Sequence, residues 1–207
     1  NRFLPGRRPG ARPPGVSPAR LWLVRHAPVL APPGTCYGQL DLPADPQATL
    51  QSARALATAL HRGAVLHHST LQRCELLAQS TQALRPDLIL KPDARLRELG
   101  FGRWEGRPWA ALARAELDAW TAQLATYPPC GGERLTDMLE RVGAALHDAC
   151  AAGPAGDVVW ISHAGVARCV QWLLGAPGRA PDAAEWPADA PAPGAWAHYP
   201  LPARTPV

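Results

Sequence analysis

Short apolar runs alternate along this chain with longer stretches in which apolar residues recur at helical spacing. The strand-like runs are residues 21–24, 64–68, 88–90 and 157–162. The helix-like stretches are 48–60, about 69–84, 135–149 and about 165–174. Strands that alternate with helices predict an α/β domain, a three-layer α/β/α sandwich whose central sheet is mostly parallel.

Two local patterns refine this prediction. Ser69-Thr70-Leu71-Gln72 fits the S-x-x-Q capping box, which predicts that Ser69 caps the helix after the second strand. From Ala176 to Val207 the chain contains eight prolines and ten alanines. Within that segment only 195–199 has the composition of a strand, and it is expected at a sheet edge, which makes the sheet mixed.

Charge and composition set the domain organisation. Residues 1–18 are rich in Pro, Gly and Arg and predict a flexible arm, while 19–207 predict a single catalytic domain with a Pro/Ala-rich segment from about 176. Five of the 21 basic residues and none of the 17 acidic ones lie in 1–20, which leaves 16 basic against 17 acidic residues elsewhere. A folded face without excess positive charge argues against a nucleic-acid partner.

The expected surroundings are those of a cytoplasmic protein. No apolar run approaches the roughly 20 residues of a membrane-spanning helix, so no membrane partner is expected. The five cysteines are odd in number and widely spaced, unlike a disulfide framework or a zinc ribbon. The pattern leaves open whether the protein is a monomer or a homodimer.

Positive and imidazole groups follow three of the predicted strands. Arg25 and His26 end the first strand, Arg73 lies in the first turn of the helix after the second, and His163 follows the last. The carboxyl ends of parallel strands form one rim where ligands bind, and the helix N-termini there favour an anion. The sequence therefore predicts a phosphate site.

The residue types indicate phosphomonoester chemistry at this rim. Arg25 and Arg73 can bind phosphate oxygens with bidentate hydrogen bonds. A neutral His26 can attack phosphorus and form a transient phosphohistidine, and a protonated His163 would donate to an equatorial oxygen. The poor leaving group also requires a carboxylic acid as proton donor.

Four segments resemble, in order, the motifs of the histidine phosphatase (phosphoglycerate-mutase-like) superfamily. They lie across residues 20–175 and read Leu-Val-Arg-His-Ala at 23–27, Ser-Thr-Leu-Gln-Arg-Cys at 69–74, Leu-Arg-Glu-Leu-Gly-Phe-Gly-Arg-Trp-Glu-Gly at 96–106 and Ile-Ser-His-Ala-Gly-Val at 161–166. The resemblance implies that His26 is the nucleophile and Glu98 the general acid and base, with no metal and no organic cofactor. Arg25, Arg73 and His163 are implied to hold the phosphate.

The substrate side of the site is expected from a second resemblance. Residues 34–43 (Gly-Thr-Cys-Tyr-Gly-Gln-Leu-Asp-Leu-Pro) are similar to a loop common in α-ribazole phosphatases, which implies that Tyr37, Gly38 and Gln39 line the pocket. Ala164, which replaces a glycine of the family motif, is placed with them. A small nucleoside or sugar phosphate such as α-ribazole 5′-phosphate is the implied substrate.

Several alternatives accompany this interpretation. Glu105 is the rival of Glu98 as proton donor, although a role in the first turn of a helix suits it better. Trp104 and Trp109 are the tryptophans expected near a ring-bearing substrate. His67 and His68 point to opposite faces of a strand and cannot share a metal.

Other functions are also compatible with the motifs. A phosphoglycerate mutase and a broad-specificity phosphatase are the rival enzymes, although the prolines after His26 favour hydrolysis. A phosphate-ligand binding module without turnover is the rival from another class, and a nucleic-acid binder that uses the arginine arm is a third.

Overall fold

Five strands form one twisted sheet in the computed structural model, which describes residues 19–152, 156–175 and 178–202. The expected arm at 1–18 lies outside these residues. The sheet order is β3-β2-β4-β1-β5. The strands are β1 (Arg20–Arg25), β2 (Val65–His68), β3 (Ile89–Pro92), β4 (Val158–Ser162) and β5 (Trp196–Pro200).

The sheet is mixed and mostly parallel, as predicted. β1, β2, β3 and β4 run parallel, whereas β5 pairs antiparallel with β1 at the edge, where Trp22 lies opposite His198. The Pro/Ala-rich segment therefore supplies the expected edge strand. The third strand begins one residue later and ends two residues beyond the predicted run 88–90.

The described residues form five α-helices, four of which cover the two faces of this sheet. The five helices are α1 (Pro46–Ala59), α2 (Gln72–Leu84), α3 (Arg114–Ala122), α4 (Leu135–Ala152) and α5 (Ala164–Gly175). Side chains of β1 alternate between two apolar clusters: Leu21 and Leu23 pack with α4 and α5, while Trp22 and Val24 pack with α1 and α2. The predicted three-layer α/β/α sandwich is confirmed.

The start of α2 differs from the prediction. The helix begins at Gln72, and Ser69 does not cap it. Instead, Asp41 Oδ1 accepts a hydrogen bond from the Gln72 backbone N–H at 2.8 Å. The capping-box prediction was wrong because the Ser69 hydroxyl is drawn to the ring of His163, 2.8 Å from Nε2.

The parallel strands bring their carboxyl ends to one rim. The His26 N–H donates to the Ser162 carbonyl at 3.1 Å, and the Ser69 N–H donates to the Ile161 carbonyl at 2.9 Å. These bonds hold the residues that follow β1, β2 and β4 next to one another. Along the described ranges, no helix is both long and apolar enough to cross a membrane.

Candidate active site

The side chains that follow β1 and β4 meet at this rim. The rings of His26 and His163 lie 5.2 Å apart between centroids, and both residues are buried. The structure therefore brings these two histidines together at the rim, where the sequence predicted them. Each histidine directly follows a strand, so the backbone hydrogen bonds of the sheet fix the point from which its imidazole projects.

His26 is held as a neutral base. Its Nδ1 lies 2.7 Å from the Ala27 carbonyl, which can only accept, so Nδ1 carries the proton and Nε2 keeps its lone pair. Burial, followed by the positive charge of Arg73, lowers the pKa of His26 from 6.5 to about 3. A neutral imidazole with a free Nε2 is the form that a nucleophile requires.

His163 is neutral as well. Burial and then the charge of Arg73 lower its pKa well below 6.5. The sequence interpretation used a protonated His163 as donor to phosphate, and the buried site beside two guanidiniums does not favour that form. The neutral ring pairs through Nε2 with the Ser69 hydroxyl and lies 3.5 Å from the Cys74 sulfur.

Arg73 is completely buried, and its guanidinium is not free to bind phosphate with both terminal nitrogens as expected. Its Nη1 donates to the Leu40 carbonyl at 2.9 Å and its Nη2 donates to the Gly38 carbonyl at 2.5 Å. Only Nε has no hydrogen-bond partner among the described residues. Arg73 therefore places its charge at the site while it holds the loop that contains Gly38 and Leu40.

Arg25 is oriented by the Pro/Ala-rich segment. Its Nη1 donates to the Pro191 carbonyl at 3.1 Å, and its buried Nε has no partner within the described part of the chain. The Gly194 N–H donates to the carbonyls of Arg25 and His26 at 3.1 and 2.9 Å. The segment beyond 178 is thus part of the site, which its composition did not indicate.

A cavity of about 280 Å³ opens in front of His26. Arg25, His26, Glu98, Ala164 and Tyr37 line it. His163 and Arg73 are buried and do not line it, but the Arg73 guanidinium lies 5.3 Å from the ring of Tyr37, which does. The cavity therefore places a candidate nucleophile, a cation and a carboxyl group around one volume large enough for a small molecule.

Glu98 is fixed at the start of α5. Its Oε2 accepts from the Gly165 N–H at 3.0 Å, and its Oε1 accepts from the Leu99 N–H at 2.9 Å. A Cβ at position 165 would overlap Oε1 of Glu98, so only glycine leaves room for the carboxyl group there. Of the two rival glutamates, Glu98 is the one that faces the cavity.

Glu105 organises a loop instead. Its carboxylate accepts from the backbone N–H groups of Gln39, Leu40 and Phe101. It ends a short 3-10 helix and begins none, so the expectation of a first-turn acid was wrong. The carboxylate instead makes a tertiary contact, because it accepts hydrogen bonds from a loop about 65 residues earlier in the sequence.

Of the three loop residues expected on the substrate side, the structure places only Tyr37 in the cavity lining. Gly38 is buried against the Leu99 carbonyl and does not line the cavity. The Gln39 side chain points toward the Glu98 carbonyl and Glu133, outside the cavity. Both residues pack the loop onto the 98–105 segment, and the prediction that they line the pocket was wrong.

Aromatic and apolar side chains form the outer wall of the cavity. Trp109 lines it, whereas Trp104 is buried beneath and donates from Nε1 to Glu116 at 2.9 Å. Sequence reasoning missed Trp120, Trp186 and Arg168, which also line the cavity. Only Arg168 had a local signal, since it follows Ala164 by one helical turn.

Comparison with known proteins identifies the family of this chain. The model of the histidine phosphatase superfamily (branch 1) matches residues 21–190. A phosphoglycerate mutase from Thermus thermophilus is 30% identical, with a TM-score of 0.64 over 91% of this chain and 96% of that one. A mycobacterial glucosyl-3-phosphoglycerate phosphatase is 25% identical, with a TM-score of 0.73 over 88% and 90% of the two chains.

A third similar structure is a mycobacterial hydrolase that is 25% identical, with a TM-score of 0.69 over 87% of this chain and 81% of that one. These proteins share the fold and differ in the activities they are named for. The family match spans the rim, the cavity and the segment that covers them. The chain belongs to the histidine phosphatase superfamily, branch 1, whose members are of the phosphatase or mutase type.

Proposed function

We propose that this protein is a metal-independent phosphomonoesterase that transfers the phosphoryl group of a small phosphate ester to His26 and then to water. The observation that carries the proposal is the state of His26. A neutral imidazole, with Nδ1 donating to Ala27, presents Nε2 at a cavity that also contains Arg25 and Glu98.

In the first step the Nε2 lone pair of His26 forms a bond to phosphorus while the bond from phosphorus to the ester oxygen breaks. A protonated Glu98 gives its proton to the departing oxygen, which leaves as an alcohol. The Arg25 guanidinium and the Arg73 charge offset the negative charge that the phosphoryl oxygens carry in the transition state. The Ala27 carbonyl stabilises the positive charge that develops on the ring.

In the second step the Glu98 carboxylate takes a proton from water, and the water oxygen attacks phosphorus. The nitrogen–phosphorus bond breaks, inorganic phosphate leaves, and His26 regains its lone pair. Glu98 is again protonated, so the cycle closes without a net change in the protein.

The walls of the cavity favour hydrolysis of a phosphate ester over transfer of the phosphoryl group from one position of a substrate to another. Ring and aliphatic side chains from Trp109, Trp120 and Leu135 line the cavity in which we expect the ester to bind. Such walls suit one apolar or ring-bearing alcohol. α-Ribazole 5′-phosphate stays one candidate in a panel, because only Tyr37 of the three loop residues that suggested it reaches the cavity.

The test is a panel of phosphomonoesters assayed for phosphate release in the presence of a chelator. The panel contains aryl, sugar and nucleoside phosphates, α-ribazole 5′-phosphate, and 3-phosphoglycerate assayed also for isomerisation. We expect phosphate release by the wild type and background release by His26→Ala with an unchanged circular dichroism spectrum. Undiminished release by His26→Ala, or inhibition by the chelator, would overturn the proposal, and isomerisation without hydrolysis would identify a mutase.

A further inference from the structure

Three buried side-chain nitrogens have no hydrogen-bond partner within the described residues. They are the Nε atoms of Arg25, Arg73 and Arg168. Buried polar groups are normally paired, so an unpaired donor is a place where a ligand acceptor is expected. The mechanism proposed above uses the charges of Arg25 and Arg73, whereas it assigns no role to Arg168.

Arg168 belongs to the same cavity as His26. It lies on α5, one turn after Ala164, so its side chain projects from the same face of the helix. Its Nη2 donates to the Ala188 carbonyl at 3.3 Å, which anchors one edge of the guanidinium to the Pro/Ala-rich segment. The guanidinium is therefore held in place at the cavity wall.

No carboxylate neutralises this guanidinium among the ion pairs of the described residues. The cavity that Arg168 lines has apolar walls from Trp186, Met138, Leu135 and the rings of Trp109 and Trp120, and polar walls from His26, Glu98 and other residues. A half-buried charge beside apolar walls is poorly solvated, which makes it a strong partner for an anion that enters the cavity.

The walls also limit the shape of that ligand. Trp109 and Trp120 lie nearly parallel, 20° between planes, with centroids 6.4 Å apart, and Phe101 meets both edge to face. Flat, apolar groups pack well on such surfaces. The cavity of about 280 Å³ has room for a flat leaving group in contact with these rings.

We propose that Arg168 forms a second anion-binding position, and that the preferred substrate is a phosphomonoester whose flat, apolar leaving group carries a carboxylate. This inference rests on the proposed phosphatase function. A single planar guanidinium matches a carboxylate, whereas a second phosphate would need further donors that the wall around Arg168 does not offer.

Binding of phosphonates tests this position independently of turnover, because their carbon–phosphorus bond is not an ester. Benzylphosphonate is compared with its 3-carboxy, 4-carboxy and matching carboxamide derivatives by isothermal titration calorimetry. The proteins are the wild type, Arg168→Gln and, as a matched control, Arg54→Gln on the exposed side of α1.

At least one carboxylate isomer is expected to bind the wild type about 10- to 100-fold more tightly than benzylphosphonate and than its own carboxamide. Arg168→Gln should reduce this preference to within about threefold, and Arg54→Gln should keep it. Equal affinity of the wild type for carboxylate and carboxamide, which needs no variant to fold, would overturn the inference. An undiminished preference in Arg168→Gln would overturn it as well.

Hydrolysis separates this inference from the proposed function. Phenyl phosphate and 3- or 4-carboxyphenyl phosphate are compared by kcat/KM in the wild type and Arg168→Gln. A preference for the carboxylate that is lost in Arg168→Gln, mainly through KM, supports the position. Hydrolysis of all these esters at equal rates would refute the Arg168 position and leave the phosphatase intact. Absence of any hydrolysis would refute the proposed phosphatase function. The phosphonate affinities would still test whether Arg168 binds a carboxylate.

Discussion

Glu98 and Gly165 are in direct contact at the start of α5, where the Gly165 N–H donates to Oε2 of Glu98 at 3.0 Å. The contact explains why a carboxyl group from an irregular segment is held at a fixed place in the cavity. It also couples the identity of residue 165 to the position of the proposed proton donor, since a methyl group there would overlap Oε1.

Gly165→Ala is therefore expected to displace Glu98 and to lower kcat for alkyl phosphates by about 10-fold or more, because a positioned general acid contributes about 10²–10⁴-fold. Steady-state kinetics on an alkyl ester measures this effect. Gly143→Ala is the matched control, since that helical glycine has room for a methyl group and should gain up to about 1 kcal/mol of stability. Equal kinetics in Gly165→Ala and wild type would show that the contact does not position the acid.

Glu98→Gln tests the proton donor itself. Alkyl alcohols leave poorly without a proton, whereas nitrophenolate leaves readily. The variant should therefore lose about 10²–10⁴-fold in kcat/KM, which reports phosphoryl transfer to His26, on an alkyl phosphate and much less on 4-nitrophenyl phosphate. Burst kinetics on both esters separates phosphoryl transfer from hydrolysis of the intermediate. The same loss in the first step for both esters would remove Glu98 as the acid.

Glu105 acts on the site through the loop that Arg73 holds. The carboxylate accepts from the Gln39 and Leu40 N–H groups, and Arg73 donates to the neighbouring Gly38 and Leu40 carbonyls. Replacing Glu105 by Gln puts an amide donor against backbone donors and should shift the loop, lowering kcat/KM by about 10- to 100-fold. Glu140→Gln on the exposed side of α4 is the control. A Glu105→Gln variant with wild-type kinetics would contradict this role.

The lowered pKa of His26 predicts a specific dependence of stability on pH. Between about pH 3 and 6.5 the folded protein keeps His26 neutral, while the unfolded chain binds a proton there. The free energy of unfolding contributed by this group is thus complete above pH 6.5 and falls as the pH is lowered, by about 1.4 kcal/mol per pH unit.

Denaturant titrations at a series of pH values, in buffers without phosphate, measure this slope. The curve of His26→Asn should be flatter than that of the wild type in the same window. His61→Asn, which changes an exposed histidine, should keep the wild-type slope. Parallel curves for wild type and His26→Asn would contradict the burial of a neutral imidazole.

Much of the fold was predictable because its strands carry strong patterns. All five residues of β4 are buried, and in β1 successive side chains enter opposite clusters, so both strands are visible in the sequence. The start of α2 was not predictable, because its cap is Asp41, 31 residues earlier in the chain. A local motif at Ser69 could not reveal a side chain that arrives from a distant loop.

In the candidate site, too, some residues were predictable from local motifs and others were not. His26, Arg25 and Glu98 follow from motifs, and they line one cavity. The role of Arg73 was only half predictable, since its two terminal nitrogens bind loop carbonyls. Trp186 lies in a Pro/Ala-rich segment with no periodicity, and only the path of that segment across the rim brings it to the cavity.

Acid-labile phosphorylation of His26 during turnover is the direct measurement of the central claim. The enzyme is mixed with a phosphomonoester that it hydrolyses, quenched in alkali within the burst phase, digested and analysed by mass spectrometry. The account predicts a phosphoryl group on the imidazole of His26, at Nε2, that is absent from His26→Ala and present in His61→Ala. Turnover by wild-type protein with no phosphohistidine, or with the phosphoryl group on another side chain, would contradict it.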